Sequence, residues 1–416
     1  MSTPTTDLSA AQADYDALVA QGMTLNLTRG KPSAEQLDLA SAMLSLPGPD
    51  DHTAADGTDT RNYQGLQGLP EVREIFSEAL AVPVEQLIAF GNSSLELMHD
   101  TLVHAMLSPL PGARGRWVDE PRVAFLAPVP GYDRHFALSE RLGIELVPVP
   151  MTPDGPDMET VERLVADDPS VKGIWCVPKY SNPDGAVYSE ETVRRLASMP
   201  TAALDFRIMW DNAYTVHTLA DTPAPLADVL ALAAEAGNPD RPFVFGSSSK
   251  ITFAGGGVAF LGSSPTNVDW WLKLTALRTI GPDKTNHLRH VRFLKDAEGL
   301  AEHMGRHREI IAPKFAAVQR VLRENFADTP GVSWSDPEGG YFVVLTVPDG
   351  LASAVVRLAK AAGIALTPAG ATHPYGKDPR DAIIRLAPTF PVLDEVEKAM
   401  AGVAVCVRLA LASAGR

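Results

Sequence analysis

The chain has 416 residues, 45% of them hydrophobic and 21% charged, which is enough for a globular protein with a large core and two domains. The formal net charge of −15 argues against a nucleic-acid partner. Cys176 and Cys406 form no metal-ligand pattern, and the longest apolar tail, residues 403–412, is too short to span a bilayer. Residues 1–22 lack a basic and an apolar segment, so we expect no secretory signal, no membrane partner and a cytoplasmic location.

Short apolar runs alternate with helical patterns between about residues 60 and 260. A helical pattern over residues 132–143 follows the first run, and another begins at Ser189, which is a typical N-cap residue. The alternation predicts an α/β fold with a mostly parallel central sheet and helices on both of its faces. The runs predicted as buried strands are residues 123–127, 145–149, 173–177, 206–210 and 243–245.

The pattern changes after about residue 300. Long helical patterns are followed by a predicted hairpin over residues 331–347, a helix near 351–362 and a strand over 382–387. This order of elements predicts a smaller α+β domain. The predicted organisation is an N-terminal segment that joins the small domain, then a large domain, then the small domain, with the bounds 1–45, 46–300 and 301–416.

Three polar segments follow the carboxyl ends of predicted strands, namely residues 182–185, 211–214 and 246–250. Ligands bind at this edge in open α/β sheets, so the fold would bring the three segments together. The last segment places Lys250 among serines and glycines. Taken alone, such a lysine is most often a solvated charge on a flexible loop.

A lysine, a carboxylate, an asparagine and a tyrosine at one edge of a sheet suit an aldehyde cofactor. Pyridoxal phosphate needs an amine to bind its aldehyde, an acidic partner for its pyridine nitrogen and a donor to its phenolate oxygen. It also needs a phosphate site. Residues 87–107 supply a strand, a small polar turn at 91–94 and a helix whose N-terminus favours an anion.

The sequence resembles the fold type I pyridoxal-phosphate-dependent aminotransferases, and within them the aspartate aminotransferases related to the MocR-type regulators. The matching segments are distributed over nearly the whole chain, and their order and spacing are more specific than any one of them. They are NLTRGKPS (26–33), RNYQGLQGLPEVREIF (61–76), GNSSLELM (91–98), PGYDRHF (130–136), NPDG (182–185), DNAY (211–214), SSSK (247–250) and IIRLAP (383–388).

The resemblance implies catalytic roles for three residues. Lys250 would form the Schiff base with the cofactor and transfer the proton, and Asp211 would hold a proton on the pyridine nitrogen. Tyr214, with Asn182, would donate to the phenolate oxygen. Simpler alternatives remain open, because Asp211 would also suit an N-cap or a buried ion pair, and Asn182 an Asx-turn before Pro183.

The resemblance also implies residues around the cofactor. Tyr132 would stack on its ring, although a core or interface aromatic would look the same in the sequence. Tyr63 would reach the phosphate from the neighbouring subunit of a homodimer with shared active sites. The serines that would form the phosphate cup are Ser93, Ser94, Ser247 and Ser249, each of which alone would be read as a turn residue.

Arg385 is similar to the residue that binds the α-carboxylate of the substrate in a bidentate manner, and Gly30 and Asn182 would also contact substrate. A dicarboxylic substrate needs a second cation. Arg29 is the favoured candidate, with a solvated charge as an equally weighted alternative. For Lys31 and Lys284 the solvated charge is the favoured interpretation.

One position departs from the family pattern. Family members usually carry an arginine about two turns after the Schiff-base lysine, where this chain has Gly257. The phosphate would then depend on backbone N–H groups, on serines and on Tyr63, or on a basic residue from elsewhere.

The resemblance implies an aminotransferase that moves an amino group, most favourably from aspartate to 2-oxoglutarate, by a ping-pong cycle. An aromatic or kynurenine aminotransferase or a β-lyase would use the same scaffold. A ligand-sensing domain of a MocR-type regulator is disfavoured, because only about 25 residues precede residues 26–33, too few for a DNA-binding domain.

Overall fold

The computed structural model describes residues 8–415, which form thirteen α-helices and thirteen β-strands. The helices are α1 Leu8–Ala20, α2 Ala34–Asp38, α3 Pro70–Leu80, α4 Ser94–Leu107, α5 Asp133–Arg141, α6 Met158–Ala166, α7 Glu190–Ser198, α8 Val229–Glu235, α9 Pro265–Thr275, α10 Lys284–Leu294, α11 Ala297–Phe326, α12 Ala352–Ala361 and α13 Leu393–Ser413. The strands are β1 Leu25–Leu27, β2 Leu87–Ala89, β3 Ala124–Val129, β4 Glu145–Thr152, β5 Gly155–Pro156, β6 Val171–Cys176, β7 Arg207–Asp211, β8 Pro242–Ser247, β9 Ala259–Gly262, β10 Ser333–Trp334, β11 Val343–Thr346, β12 Ile364–Leu366 and β13 Ile383–Leu386.

An eight-stranded sheet forms the centre of the molecule, in the order β2-β9-β8-β7-β6-β3-β4-β5. β3, β4, β6, β7 and β8 pair in parallel, whereas β9 is antiparallel to both of its neighbours and β5 is antiparallel to β4. The predicted mostly parallel sheet is therefore confirmed.

Successive residues of the central strands pack into two different cores, one on each face of the sheet. In β7, Ile208 and Trp210 belong to one apolar cluster and Met209 belongs to the other. Both clusters are completed by helices, which explains why these strands read as continuous apolar runs. Burying each large apolar side chain stabilises the fold by roughly 1.5–3 kcal/mol.

A second unit combines the two ends of the chain. It contains the antiparallel sheet β10-β11-β13 and the parallel pair β1-β12. Its core includes Tyr15 and Leu18 of α1 together with residues from the second half of α11, from α12 and from α13. The predicted hairpin, helix and strand of this region are confirmed. The proposed bounds of the domains remain a prediction, and the one after residue 300 lies inside the continuous helix α11.

The carboxyl ends of the parallel strands lie beside one another and bring polar segments together. β7 ends at Asp211, β8 ends at Ser247, and Asn182 follows β6. The predicted N-cap of α7 is confirmed, because the Ser189 hydroxyl accepts a hydrogen bond from the Thr192 N–H at 3.2 Å. Within residues 8–415 no helix combines the length and the apolar character that a membrane span requires.

Candidate active site

A cleft of about 850 Å³ lies between the carboxyl edge of the central sheet and the second unit. The predicted site residues that line it are Arg29, Gly30, Tyr132, Tyr214, Lys250 and Arg385. They come from five separate places in the sequence. The cleft therefore depends on the tertiary fold and on both units of the molecule.

Lys250 follows the end of β8, and its amine faces this cleft. The Lys250 Nζ lies 4.9 Å from the centroid of the Tyr214 ring. Burial lowers the pKa of the amine, and the negative charge of Asp211 only partly opposes this effect. Among the described residues no acceptor binds this amine, so Lys250 is a desolvated amine in a cleft.

The backbone at Lys250 is held by buried side chains that the sequence did not reveal. The Lys250 carbonyl accepts hydrogen bonds from His217 Nε2 and from the Tyr341 hydroxyl, both at 3.3 Å. The next carbonyl, of Ile251, lies 2.7 Å from His303 Nε2 and 2.9 Å from His307 Nε2. The i, i+4 spacing of His303 and His307 on one helix was visible in the sequence, but their acceptor was not. These contacts fix the segment that carries the amine.

The Asp211 carboxylate is almost completely buried at the end of β7. Its Oδ2 lies 3.0 Å from His135 Nε2, and its Oδ1 accepts a hydrogen bond from the Ala213 N–H at 3.2 Å. A carboxylate can only accept, so His135 carries a proton on Nε2. The His135 ring stacks on Trp175 with a centroid distance of 4.2 Å. His135 was missed from the sequence, although it lies in the segment PGYDRHF.

Asn182 and Tyr214 are in contact, as the pairing of their predicted roles requires. The Asn182 Nδ2 donates to the Tyr214 hydroxyl at 3.4 Å, while the buried Oδ1 of Asn182 has no hydrogen-bond partner. The alternative interpretation of Asn182 as an Asx-turn is therefore wrong. Burial raises the pKa of Tyr214 well above its usual value, so its hydroxyl keeps a proton that it can donate.

The predicted phosphate cup surrounds the N-terminus of α4. Ser93 occupies the N-cap position of this helix without making a side-chain cap hydrogen bond. The Ser249 hydroxyl donates to the Asn92 carbonyl at 3.0 Å, which ties the loop after β8 to the loop before α4. Within residues 8–415 the hydroxyls of Ser93, Ser94 and Ser247 have no hydrogen-bond partner, so two donors at the N-terminus of α4 and one at the end of β8 remain free.

Gly257 packs directly against this cup. A Cβ atom at Gly257 would lie 3.0 Å from the Ser249 nitrogen and 3.1 Å from the Ser248 hydroxyl. A side chain there would require the serine loop to move by a few tenths of an ångström.

Arg385 lies on β13 and is buried, with its guanidinium 5.0 Å from the centroid of the Phe342 ring. Its Nη1 lies 3.2 Å from Asp133 Oδ1, and its Nε donates to the Thr367 hydroxyl at 3.4 Å. Gly30 also packs against Phe342, because a Cβ atom at Gly30 would come within 2.3 Å of the ring. Phe342 thus supports both the arginine and the loop that carries Arg29.

The three candidate cations for a second carboxylate differ in their surroundings. Arg29 and Lys31 line the cleft, and Arg29 has no side-chain partner among the described residues. The Lys31 Nζ lies 3.8 Å above the centroid of the Phe390 ring. Lys284 is not a solvated loop charge: it is buried outside this cleft, and its Nζ donates to the carbonyls of Asn62 and Gln64, both at 2.7 Å.

The two tyrosines predicted to contact the cofactor differ in position, since Tyr132 lines the cleft and Tyr63 does not. Tyr132 lines the cleft, and its ring makes an edge contact with His135 at a centroid distance of 4.9 Å. Burial raises the pKa of Tyr132. Tyr63 is 70% exposed and lies outside the cleft. Its predicted contact with the phosphate requires a second subunit.

Comparison with known proteins agrees with this geometry. The model of the "Aspartate amino-transferase" family matches residues 2–415. An aspartate aminotransferase of Corynebacterium glutamicum is 48% identical over 398 residues, which cover 96% of this chain and 92% of that protein. A protein of Mycolicibacterium smegmatis named as a candidate aminotransferase is 57% identical over 97% of this chain and 95% of its own.

A solved structure with a similar sequence also has the same fold. The crystal structure of an aspartate transaminase from Corynebacterium glutamicum superposes with a TM-score of 0.96 and is 47% identical, covering 98% of this chain and 96% of that one. The relation to the MocR-related subgroup remains a prediction. The match over nearly the full length shows that the chain belongs to the aspartate aminotransferase family, the fold type I enzymes that use pyridoxal phosphate to transfer amino groups.

Proposed function

We propose that this aminotransferase takes its amino group preferentially from aspartate and gives it to 2-oxoglutarate, in two successive half-reactions of a homodimer. The observation that carries the proposal is one cleft with a desolvated amine, Lys250, and a buried guanidinium, Arg385. The buried Asp211 carboxylate lies close enough to Lys250 to affect its pKa. The amine suits the formation of a Schiff base with an aldehyde. The guanidinium suits the carboxylate that all amino and 2-oxo acids share.

The residues of the site fit pyridoxal phosphate. The Oδ1 of Asn182 is buried without a partner, and a ligand that donates to it would remove the free-energy cost of this unpaired group. Ser93 and Ser94 at the N-terminus of α4, and Ser247 at the end of β8, present half-buried hydroxyls that can donate to a phosphate. When bound, this cofactor supplies an aldehyde that joins amines and a pyridine ring that accepts an electron pair.

The chain's own residues then have separate tasks. The lowered pKa of the Lys250 amine makes it available as a nucleophile and as the base that moves a proton from the substrate Cα. Asp211, oriented by His135, would keep a proton on the pyridine nitrogen. Tyr214 and Asn182 would donate to the phenolate oxygen. Ser93, Ser94, Ser247 and Ser249 would hold the phosphate together with the N–H groups of α4.

The role of Lys250 is tested by borohydride reduction of the holoenzyme, followed by peptide mapping. We expect the cofactor to be fixed to Lys250 and to no other lysine. Lys250→Ala should retain the fold, because the amine has no protein partner, and should lose activity by several orders of magnitude. A label on another lysine would refute this assignment of the site.

The preference for aspartate depends on a cation for the second carboxylate, and we assign it to Arg29. This guanidinium lines the cleft and lacks a partner, so its donors are available to a ligand. Arg29→Ala should reduce kcat/KM for aspartate by roughly 10- to 100-fold, because the distal carboxylate would lose a charge-assisted pair.

The control for Arg29 is a set of other amino donors and a second variant. Alanine and phenylalanine should keep their kcat/KM in Arg29→Ala, and Lys31→Ala should affect aspartate much less. Equal losses for all donors would show that Arg29 supports the fold or the cofactor. A wild-type enzyme that prefers kynurenine or an aromatic amino acid would overturn the aspartate assignment itself.

A further inference from the structure

A second cleft of about 820 Å³ opens on another side of the molecule and shares no lining residue with the cleft at Lys250. Its walls come from the C-terminal half of α3, from the N-terminal part of α11 and from residues 215–229, which lead into α8. The large apolar residues on these walls include Ile75, Leu80, Trp210, Val216, Leu226 and Met304. The size lies within the range of small-molecule sites in proteins.

Two buried polar side chains without partners line this cleft. Lys179 is only 7% exposed, and no residue in the range 8–415 accepts a hydrogen bond from its amine or pairs with its charge. The Lys179 Nζ lies 5.7 Å from the centroid of the Tyr180 ring. Asn212 is 5% exposed, and its Oδ1 is buried without a hydrogen-bond partner.

The Lys179 amine lines the cleft with little access to water and no counter-charge. Burial lowers the pKa of Lys179, since the charged form loses its hydration and gains no counter-charge. Methionine has nearly the same shape and would avoid this cost. A lysine at this position is explained if an external anion pairs with it.

The charges at the cleft limit the kind of anion. Glu78 and Glu298 are exposed carboxylates on its walls, and Asp221 is paired with Arg308 at 3.1 Å. These carboxylates would repel a ligand with several negative charges, such as a polyphosphate. A single carboxylate attached to an apolar body suits both the buried amine and the apolar walls.

We propose that this cleft is a second binding site, which takes a monocarboxylate with an apolar chain or ring, with its carboxylate accepting hydrogen bonds from the Lys179 amine and from the Nδ2 group of Asn212. The site is separate from substrate binding at Arg385. Asn212 directly follows Asp211, and Lys179 lies three residues before Asn182. Bound ligand would therefore contact segments that also carry two of the residues assigned to the cofactor.

Calorimetric titration of the holoenzyme with octanoate tests the site. We expect saturable binding that Lys179→Met weakens by roughly 10- to 100-fold, the effect of losing a charge-assisted hydrogen bond. Octanamide, which has the same chain but no charge, should bind the parent protein more weakly than octanoate. It should bind Lys179→Met and the parent about equally.

Two further variants make the result decisive. Arg385→Met removes the buried cation of the other cleft and should leave octanoate affinity unchanged. Ala301→Trp, on the exposed face of α11, should block the cleft and weaken octanoate binding without altering Lys179. No octanoate binding, equal affinity in Lys179→Met and the parent, or loss of binding only in Arg385→Met would each overturn the proposal.

Discussion

Arg385 forms an ion pair with a carboxylate of the protein itself. Asp133 Oδ1 lies 3.2 Å from Arg385 Nη1, and the Asp133 side chain is 37% exposed at the mouth of the cleft. A substrate α-carboxylate must therefore share the guanidinium with a carboxylate of the enzyme. Repulsion between the two negative charges weakens substrate binding.

Asp133→Asn should lower the KM for amino-acid substrates by about two- to tenfold, because it removes this competing charge and keeps the size of the side chain. The kcat should change little, since Asp133 does not contact Lys250. Asp269→Asn, which removes an exposed charge on α9, is the matched control and should have no effect. A raised KM in Asp133→Asn would show instead that Asp133 orients Arg385 for binding.

The sequence alone predicts which residues form this site better than it predicts the contacts between them. Arg385 could be proposed as a carboxylate ligand because the segment IIRLAP resembles the family pattern. Its contact with Asp133 joins residues 252 positions apart, which no local pattern encodes. His135 escaped notice for the same reason, because a buried histidine beside a carboxylate has no characteristic spacing.

At the scale of elements, α10 and the loop before α3 are joined through one lysine. The Lys284 amine binds the carbonyls of Asn62 and Gln64, which flank the exposed Tyr63. Gln64 has a φ of 98°, an unfavourable conformation for a residue with a side chain. Hydrogen bonds from Lys284 compensate for this conformation and hold Tyr63 outward, where a second subunit could meet it.

Lys284→Met should release this loop and weaken cofactor binding by roughly tenfold, in proportion to the loss of two charge-assisted hydrogen bonds. Cofactor affinity is measured by spectroscopic titration, with Lys273→Met on the exposed side of α9 as the control. If Lys284 acts through Tyr63, the losses in Lys284→Met and Tyr63→Phe should not add in the double variant. Additive losses would separate the two residues.

The periodicity of the sequence predicted the helices and strands well, but it did not predict which distant segments they contact. The central strands were identified because burial on both faces makes them continuously apolar. Lys284 was misread because the same lysine is a solvated charge or a buried donor, depending on a loop 220 residues away. Pairing of β1 with β12 depends on a similar long-range contact.

At the scale of the whole molecule, several buried histidines should make the free energy of unfolding depend on pH. Burial lowers the pKa of His217 and His287 to about 3 and that of His290 and His307 to about 4. In the unfolded chain a histidine has a pKa of about 6.5. Between these values the unfolded chain binds protons that the folded chain does not bind.

The sign of the effect follows from this difference. Stability rises with pH wherever the unfolded state binds more protons, so stability should be lost as the pH falls from about 6.5 towards 4. Carboxylates such as Asp51 and Asp168 have a lowered pKa because arginine or serine partners stabilise their charge, so their contribution is lost at lower pH. The two groups of residues therefore act in largely separate ranges of pH.

Each fully buried histidine should contribute about 1.4 kcal/mol per pH unit to the loss of unfolding free energy within its range. Urea unfolding at several values between about pH 5 and 6.5 measures this slope. His290→Asn should make the slope shallower by about this amount, even if it also destabilises the fold, because the readout is the slope and not the free energy itself. An identical slope in His290→Asn and the parent would mean that His290 does not change its protonation on unfolding, and acid lability would then have to come from other groups.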